Sequence, residues 1–317
     1  MTITQTLAPA RPTLGIRLKS TFSTGRLGLL MHSPLALASA LTLFVLVLVA
    51  TIGAPFAQDV ANMQNLRLRF FPPFSLSHGW LYVLGADALG RSMLAQLVVG
   101  ARTSFIVAGA AVGLATIVGT AIGLVSGFLG GWVDAALMRI SDIIVTVPSL
   151  LLALAVLFVL EPSVINLVMV LAIGRLPIYL RVSRAQTLEL RERVFVEASR
   201  AIGASDFSII WRDIRPLVMP TVLTVAMLEL AMVMLAAAGL SFLGVGLQRP
   251  DVDWGTIVSE GREYLTRAWW ATVFPGMAIV ITALAANLLS NWLRASGDPL
   301  QATALVAAPS RDEDARK

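Results

Sequence analysis

The chain has 317 residues, of which 57% are hydrophobic and 14% are charged, with a mean hydropathy of +0.80. Soluble proteins average roughly 45–50% apolar and about 25% charged residues, so an ordinary soluble fold is excluded and an integral membrane protein is indicated. The net charge is +5, there is no cysteine, and His32 and His78 are the only histidines. Disulfide frameworks and cysteine nucleophiles are therefore excluded, and we predict no catalytic residue and no metal site.

Long uncharged stretches mark the membrane spans, because a bilayer core needs about 20 apolar residues per helix. Six stretches qualify, and two of them carry a single charge, Arg175 and Glu229. The predicted fold is an all-α membrane protein with six transmembrane helices. These helices are placed near residues 36–57, 103–128, 139–160, 163–182, 217–245 and 273–293.

Basic residues predict the orientation of the spans. The first 34 residues contain basic residues and no acidic residue, which favours a cytoplasmic N-terminus. Six spans then put the C-terminus and the arginine-rich loop 184–216 on the same side. The predicted organisation is a cytoplasmic segment 1–34, a first transmembrane helix 35–57, an extracytoplasmic loop 58–102, a five-helix core 103–299 containing that loop, and a flexible cytoplasmic tail 300–317.

The second span carries small residues at every fourth position. They form one ridge of a helix, where a neighbouring backbone can approach closely. This ridge predicts helix packing, either within the chain or with a partner subunit. Its members are Ala111, Ala115, Gly119, Gly123 and Gly127.

The loop 184–216 is patterned as folded structure. Gly203 supplies the left-handed conformation or the close approach that ends a helix. Ser205 is a predicted N-cap, Asp206 places a negative charge in the next first turn, and Pro216 marks the start of the fifth span. An apolar stripe with Arg212 away from it follows at Phe207, Ile210, Trp211 and Ile214. From the residues alone, this amphipathic helix fits either an interfacial helix in the headgroups or a helix that docks into a groove of a cytoplasmic partner.

The same loop resembles a known motif. Glu197-Ala198-Ser199, then Gly203, Ile214 and Pro216, resemble the EAA loop of ABC-importer permeases. VEASRAIGASDFSIIWRDIRP is similar to the form found in the dipeptide/oligopeptide/nickel permease family. Further blocks in the family's order extend the resemblance over roughly residues 84–300 and fit the C-type membrane subunit. They are LGADALGRSMLAQLVVGARTS, GGWVDAALMRISDIIVTVPSLLLAL, LSFLGVGLQRPDVDWGTI, WWATVFPG and NLLSNWLRASGDP.

The resemblance implies a type I ABC importer permease, which couples ATP hydrolysis in partner subunits to alternating access, with di- or oligopeptides as substrate. The implied partners are a homologous membrane subunit forming a heterodimer, two ATP-binding subunits that hold ATP and Mg²⁺, and an extracytoplasmic substrate-binding protein. The implied location is the lipid bilayer of a bacterial inner membrane. No nucleic-acid partner is expected. The chain lacks a G-x-x-x-x-G-K-[ST] phosphate loop, so we expect it to bind no cofactor and to be no enzyme.

Within this resemblance, a nickel chelate, glutathione or another small solute is an alternative substrate. A stand-alone secondary transporter is the alternative from another class. The implied ATPase-coupling residues are Glu197, Ala198, Gly203, Ser205, Asp206, Phe207, Ile210, Trp211, Arg212, Ile214 and Pro216, with Phe207, Ile210 and Trp211 as apolar anchors. The chain departs from the family pattern at Ser199, Arg215, Asn291 and Ala295.

Charged residues inside a bilayer are expensive and therefore functional candidates. Glu229 is a candidate for the translocation path, and the alternative is a pair with Arg175 that serves assembly. Arg139 and Asp142 are spaced for a local ion pair. Aromatic residues near the outer end of the last span predict an interfacial belt, formed by Trp254, Tyr264, Trp269 and Trp270.

Overall fold

The computed structural model describes Leu30 and residues 33–297. Within these residues the secondary structure is helical, apart from one isolated bridge between Ala86 and Ser92. Most of the predicted cytoplasmic segment 1–34 and the predicted tail 300–317 lie outside the described residues.

The helices are numbered in chain order. They are α1 (Pro34–Asn62, with a π-helical turn at Val49–Gly53), α2 (Met93–Leu129), α3 (Gly131–Thr146), α4 (Ser149–Val159), α5 (Val164–Leu190), α6 (Val194–Ala201), α7 (Asp206–Phe242, with a π-helical turn at Ile209–Ile214), α8 (Trp254–Gly261) and α9 (Trp270–Gly297). Short 3₁₀ turns lie at Leu66–Leu68, Trp80–Tyr82 and Arg262–Tyr264.

Five of the described helices are long and apolar enough to cross a membrane, namely α1, α2, α5, α7 and α9. The pair α3 and α4 makes a sixth span if it is taken as one, but its two axes are bent by 81°. The all-α membrane fold is thus confirmed, whereas the continuous third span predicted at 139–160 is wrong. Pro148 explains the break, because a residue that precedes proline is biased away from the helical region, and Val147 is extended.

Helices α1, α2 and α7 extend further than the spans predicted from the sequence. Helix α1 ends at Asn62 and α2 begins at Met93, so the connecting segment is 63–92 and is shorter than the loop predicted at 58–102. Helix α7 begins at Asp206, well before the predicted start of the fifth span at 217. The spans therefore extend beyond the uncharged stretches, because polar residues continue the helices past them.

The ridge of small residues packs against α5. A Cβ built on Gly119 would lie 2.8 Å from Tyr179 Cβ, and one built on Gly123 would lie 2.5 Å from the Leu180 carbonyl oxygen. Such distances mean that the two backbones approach as closely as glycine permits. The predicted packing surface is therefore confirmed as a contact within the chain. Ala111, Ala115 and Gly127 are buried on the same ridge.

The spans place two structures at opposite ends of the bundle. One end, here called the loop end, carries residues 191–205 between α5 and α7, together with the first turns of α7 up to Ile214. The other end carries the cap, which consists of residues 63–92 and 243–269. Helices α2, α5, α7 and α9 each run from one of these ends to the other.

Two tryptophans of the predicted interfacial belt lie inside the cap instead. Trp254 is 2% exposed and its Nε1 donates to the Leu97 carbonyl at 2.9 Å. Trp270 is 6% exposed and its Nε1 donates to the Ala86 carbonyl at 2.9 Å. The belt is therefore wrong for these two residues, because packing between the cap and the span ends buries both rings and gives each Nε1 a carbonyl partner, from α2 for Trp254 and from the cap for Trp270. Trp269 is exposed, so its place in a belt stays a prediction.

Candidate functional site

Helix α6 is a short helix at the loop end whose C-terminus is built by Gly203. The Gly203 amide donates to the Arg200 carbonyl at 2.9 Å, and the Ala204 amide donates to the Ser199 carbonyl at 3.0 Å. These bonds require a left-handed residue at the turn, and Gly203 has a φ of +86°. A Cβ on Gly203 would meet no described atom within 4 Å. The left-handed conformation is thus confirmed, and among the described residues no other part of the chain approaches this glycine closely.

The predicted cap of the following helix is also confirmed. The Ser205 hydroxyl accepts a hydrogen bond from the Ser208 amide at 3.3 Å, and Asp206 lies in the first turn. However, the helix that starts here continues into the fifth span without a break. Pro216 therefore does not start a new helix, and lies within α7 just after the π-helical turn. The π-helical turn changes the backbone hydrogen-bond pattern just before Pro216, and such a local change lets a helix accommodate a proline.

The predicted apolar stripe does not stay on one face. Ile210 and Ile214 are buried within the chain, as is their neighbour Ile209. Phe207 and Trp211 are exposed. The cause is the π-helical turn, whose wider i→i+5 pattern moves residues off a stripe calculated for an α-helix. Ile210 is consequently largely enclosed by this chain, and its role as an anchor for a partner stays a prediction.

Two exposed apolar residues of α6 and its C-terminal turn are not among the predicted coupling residues. Ile202 is 86% exposed and Val194 is also exposed. Phe207, which is 71% exposed, belongs to the same segment of the loop end, and these three exposed apolar residues are here called the loop tip. A stripe search misses them because they belong to two short elements joined by a turn. The remaining predicted coupling residues are exposed around the tip, namely Glu197, Ala198, Gly203, Ser205, Asp206, Arg212 and Pro216.

Polar and aromatic contacts fix the loop tip to the spans. The Ser199 hydroxyl donates to Asp213 Oδ2 at 3.0 Å, which joins α6 to α7. The Arg200 guanidinium lies 5.2 Å from the centre of the Phe128 ring, at the end of α2. These two contacts join α6 to both α2 and α7.

Two departures from the family pattern have a structural account. Ser199 makes the hydrogen bond to Asp213 that an alanine could not make. Arg215 lies 4.8 Å from the centre of the Trp211 ring, which holds that exposed indole in place. Asn291 donates to Asn287 Oδ1 at 3.3 Å on the surface of α9. Nothing in the structure explains Ala295.

Arg175 and Glu229 form an ion pair between α5 and α7. Arg175 Nη1 lies 3.3 Å from Glu229 Oε2, and both side chains are largely buried. This is the arrangement expected if the pair serves assembly, which was one of the two alternatives. Removing one partner of such a pair would leave an uncompensated buried charge. The place of Glu229 on a translocation path stays a prediction.

The local ion pair predicted between Arg139 and Asp142 is wrong. Asp142 Oδ1 instead accepts a hydrogen bond from Arg181 Nη2 at 2.9 Å. The reason is tertiary, because α3 packs against α5 and brings Arg181 across from the neighbouring helix. A second cross-link of the same kind joins Asp134 to Arg184, with Oδ2 to Nη2 at 2.6 Å.

The cap contains a network of opposite charges. Glu260 accepts hydrogen bonds from Arg91 Nη2 at 3.0 Å and from Arg249 Nε at 2.7 Å. Arg91 also pairs with Asp87, and Arg249 donates to Gln96 Oε1 at 2.7 Å. The network ties both cap segments to the start of α2 and borders a cavity of about 460 Å³. The cap is thus held in one arrangement at the end opposite the loop tip.

Asp253 is a buried carboxylate at the N-cap of α8. Its Oδ1 accepts from the Thr256 amide at 2.7 Å, and its Oδ2 accepts from the Ser241 hydroxyl at 2.8 Å. Burial raises the pKa of Asp253, and the hydrogen bonds from Thr256 and Ser241 only partly oppose this shift. A carboxyl whose pKa is raised on folding binds its proton more tightly in the folded protein. Its contribution to stability is therefore fully present below the unfolded-state pKa and is lost as the pH rises through the folded-state pKa.

We expect the purified chain to gain stability as the pH falls from about 7 toward about 4, near the ordinary pKa of aspartate. Asp253→Asn should flatten this part of the pH dependence, because the amide does not titrate. The measurement is the unfolding temperature in detergent as a function of pH. The matched control is Asp251→Asn, which changes an exposed carboxylate of the same segment. An unchanged pH slope in Asp253→Asn would contradict the assignment.

The chain is similar to known proteins over most of its length. Residues 119–300 match the family described as binding-protein-dependent transport system inner membrane component. The probable D,D-dipeptide transport system permease protein DdpC of Escherichia coli K12 is 36% identical over 86% of this chain and 89% of its own length. The di/tripeptide transport system permease protein DppC of Pseudomonas aeruginosa is 36% identical, over 84% of this chain and 89% of its own length.

Two further matches were found. The glutathione transport system permease protein GsiD of Pectobacterium atrosepticum is 36% identical over 68% of this chain and 72% of its own length. A solved structure of the MetNI methionine ABC transporter matches with a TM-score of 0.49 and 18% identity, over 63% of this chain and 97% of that chain. The sequence relatives confirm the resemblance to dipeptide permeases that the motifs indicated. With its helical spans, this chain belongs to the family of binding-protein-dependent transport system inner membrane components.

Proposed function

We propose that the chain is the permease subunit of an ATP-driven importer for di- or oligopeptides in a bacterial inner membrane. The observation that carries this proposal is the loop tip, where Val194, Ile202 and Phe207 are exposed on a structure fixed to α2 and α7. Large apolar side chains presented on a short, rigid element suit docking into a groove on a partner. The substrate class rests on the dipeptide, di/tripeptide and glutathione permeases among the relatives.

In this proposal the loop end is cytoplasmic, and so are both termini. Two ATP-binding subunits hold ATP and Mg²⁺, and one of them receives the loop tip of this chain. A second, homologous membrane subunit completes the permease. The cap faces outward and receives a soluble substrate-binding protein. Closure of the ATPase pair moves α6, and its links to Asp213 and Phe128 pass that movement to α7 and α2.

The structure changes which residues we propose as anchors. The earlier set of Phe207, Ile210 and Trp211 loses Ile210, which is buried in the chain. Ile202 takes its place, and the exposed Val194 is added to the set. The remaining exposed residues of the motif, including Glu197 and Arg212, form the polar rim of the contact. An apolar centre with a polar rim is the usual anatomy of a protein interface.

We expect the double substitution Ile202→Asp and Phe207→Asp to release the ATPase subunits. Two charges would be placed at the desolvated centre of the contact, where truncation of an anchor alone costs about 2 kcal/mol or more. The measurement is affinity purification of the tagged chain from its native membrane in mild detergent, with mass spectrometry of the proteins recovered. ATP-dependent uptake of a labelled dipeptide into vesicles should be lost in parallel.

The matched control is Ile202→Leu with Phe207→Leu, which keeps the apolar character of both positions. We expect the control to retain the ATPase subunits and the uptake. Retention of the ATPases by the aspartate variant would refute the proposed docking site. Recovery of the unsubstituted chain alone, active in ion-driven uptake, would favour a stand-alone secondary transporter instead. Uptake of a nickel chelate but not of peptides would support the ATP-driven importer and contradict the proposed peptide substrate.

A further inference from the structure

The break between α3 and α4 lies inside a membrane span. Helix α4 has 11 residues, so at ~1.5 Å per residue it is about 16 Å long, well short of the ~30 Å hydrocarbon core. The break at Val147–Pro148 faces Gly174 and Pro177 of α5. Pro177 is the central residue of the span Val164–Leu190. The backbone is therefore non-helical partway along the span that α3 and α4 would form together.

A helix break exposes polar backbone groups that a lipid tail cannot satisfy. The last carbonyls of α3 and the first amides of α4 have no partner within their own helices. The Thr146 hydroxyl donates to the Asp142 carbonyl at 2.8 Å, which lies one residue before these unpaired carbonyls begin. Residues 145–150 are all exposed on this chain. Because irregular backbone at this depth is tolerated only against protein or water, this face does not meet lipid.

A charged pair lies beside the break. Arg181 and Asp142 are 2.9 Å apart, and their side chains are 44% and 53% exposed. The other intramembrane pair, Arg175 with Glu229, is largely buried in the chain. Charged side chains within membrane spans face the bundle interior or a water-filled cavity, because their transfer into lipid is costly. The half-exposed pair thus belongs to an aqueous surface and not to the lipid face.

The break and Arg181 share one concavity, and Asp142 adjoins it through its hydrogen bond to Arg181. It has a volume of about 240 Å³ and is lined by Val147, Pro148, Ser149, Gly174, Pro177 and Arg181, among others. It is here called the notch. The remaining lining residues are Ile144, Val145 and Ile178, so the walls are apolar apart from Ser149 and Arg181.

We infer that the notch lies on the water-filled path of the permease, and that Arg181 and Asp142 contact the solute as it passes. This inference rests on the proposed function and deepens it. The solute class that fits is a short zwitterionic peptide. Its carboxylate can accept charge-assisted hydrogen bonds from the Arg181 guanidinium, and its ammonium group can donate to the Asp142 carboxylate. Between solutes, the two side chains neutralise each other.

The chain contains no cysteine, which allows a direct accessibility test. The assembled transporter is placed in liposomes, and Ser149→Cys in this chain is treated with a cationic, membrane-impermeant methanethiosulfonate. The control is Phe44→Cys, on the exposed apolar face of α1. We expect Ser149→Cys to react at least about tenfold faster than Phe44→Cys, since a charged reagent reaches water-filled but not lipid-facing positions. Excess unlabelled dipeptide should slow the reaction. Mass measurement of this chain identifies the modified subunit.

Neutralisation of the pair supplies a second readout. Arg181→Gln should raise the KM for dipeptide uptake about tenfold, the equivalent of ~1.4 kcal/mol for one charge-assisted contact. Arg139→Gln removes an exposed arginine of α3 that does not line the notch, and should leave this KM unchanged.

The outcomes separate this inference from the proposed function. ATP-dependent dipeptide uptake by the unsubstituted complex tests the proposed function. If that uptake is present but Ser149→Cys is as inert as Phe44→Cys, with and without ATP and vanadate, the notch is not on the path. Cross-linking of an inert Ser149→Cys to the second membrane subunit would identify the notch as a subunit interface, and would also overturn the inference.

Discussion

Replacement of Gly123 by leucine is expected to prevent recovery of the folded chain, and replacement by alanine to lower its unfolding temperature. A Cβ at this position would lie 2.5 Å from the Leu180 carbonyl oxygen and would also overlap the Ser183 hydroxyl. The Leu180 carbonyl is backbone in the middle of α5, so it cannot rotate away as a side chain could. Overpacking of a close contact costs about 1–3 kcal/mol for a small group. Leucine would separate α2 from α5 along the whole ridge.

Gly113 provides a matched control on the same helix. A Cβ at Gly113 would meet no described atom within 4 Å. Alanine there should be neutral or should stabilise α2 by up to about 1 kcal/mol, because glycine is the weaker helix former. The measurement is the unfolding temperature and the monodisperse yield of each variant in detergent. Equal losses for Gly113→Ala and Gly123→Ala would mean that glycine content, and not close packing with α5, determines stability.

The ridge at Gly123 was predictable because its signal is local and repeats along one helix. The lipid environment also simplifies the prediction of spans, since any long uncharged stretch must be buried in apolar surroundings. Hydropathy does not report the direction of a helix axis, however. The stretch from Ile143 to Leu160 is uncharged throughout, and only Pro148 indicated that it would bend.

At the loop end, too, some features follow from neighbours in the sequence and others depend on the tertiary structure. The roles of Ser205 and Gly203 follow from capping rules that involve neighbours in the chain. The exposure of Phe207 and the burial of Ile210 depend on a π-helical turn, which a period of 3.6 residues does not describe. The anchors we now propose therefore could not be chosen from the stripe alone.

The remaining corrections come from contacts that are distant in sequence. Trp254 finds its hydrogen-bond partner at Leu97, and Trp270 finds its partner at Ala86. In each case an amphipathic aromatic residue near a span end has two suitable environments, the lipid interface or a folded cap. The choice depends on whether another segment covers it. Asp142 likewise pairs with Arg181 only because α3 packs against α5.

Gly203→Val is expected to uncouple ATP hydrolysis from transport. The residue has a φ of +86°, and a left-handed conformation costs an L-residue roughly 1–2 kcal/mol, more when the side chain is β-branched. Such a cost shifts the equilibrium between the native turn and its other conformations by about 5–30-fold away from the native turn. The loop tip would lose its fixed geometry relative to α7, so ATPase closure would no longer move the spans. The measurement compares ATP hydrolysis with dipeptide uptake in the reconstituted transporter, and we expect uptake to fall while hydrolysis continues.

Gly203→Asn distinguishes strain from close approach by the partner. Asparagine tolerates the left-handed region but carries a side chain larger than a methyl group. Since no described atom lies within 4 Å of a Cβ built here, we expect Gly203→Asn to keep most of the coupled uptake and Gly203→Val to lose it. If both variants lose uptake equally, the ATPase packs directly against the glycine and strain is not the cause. Fully coupled uptake in Gly203→Val would show that the turn has no part in transmission, and the loop tip would have to act through Ser199 and Arg200 alone.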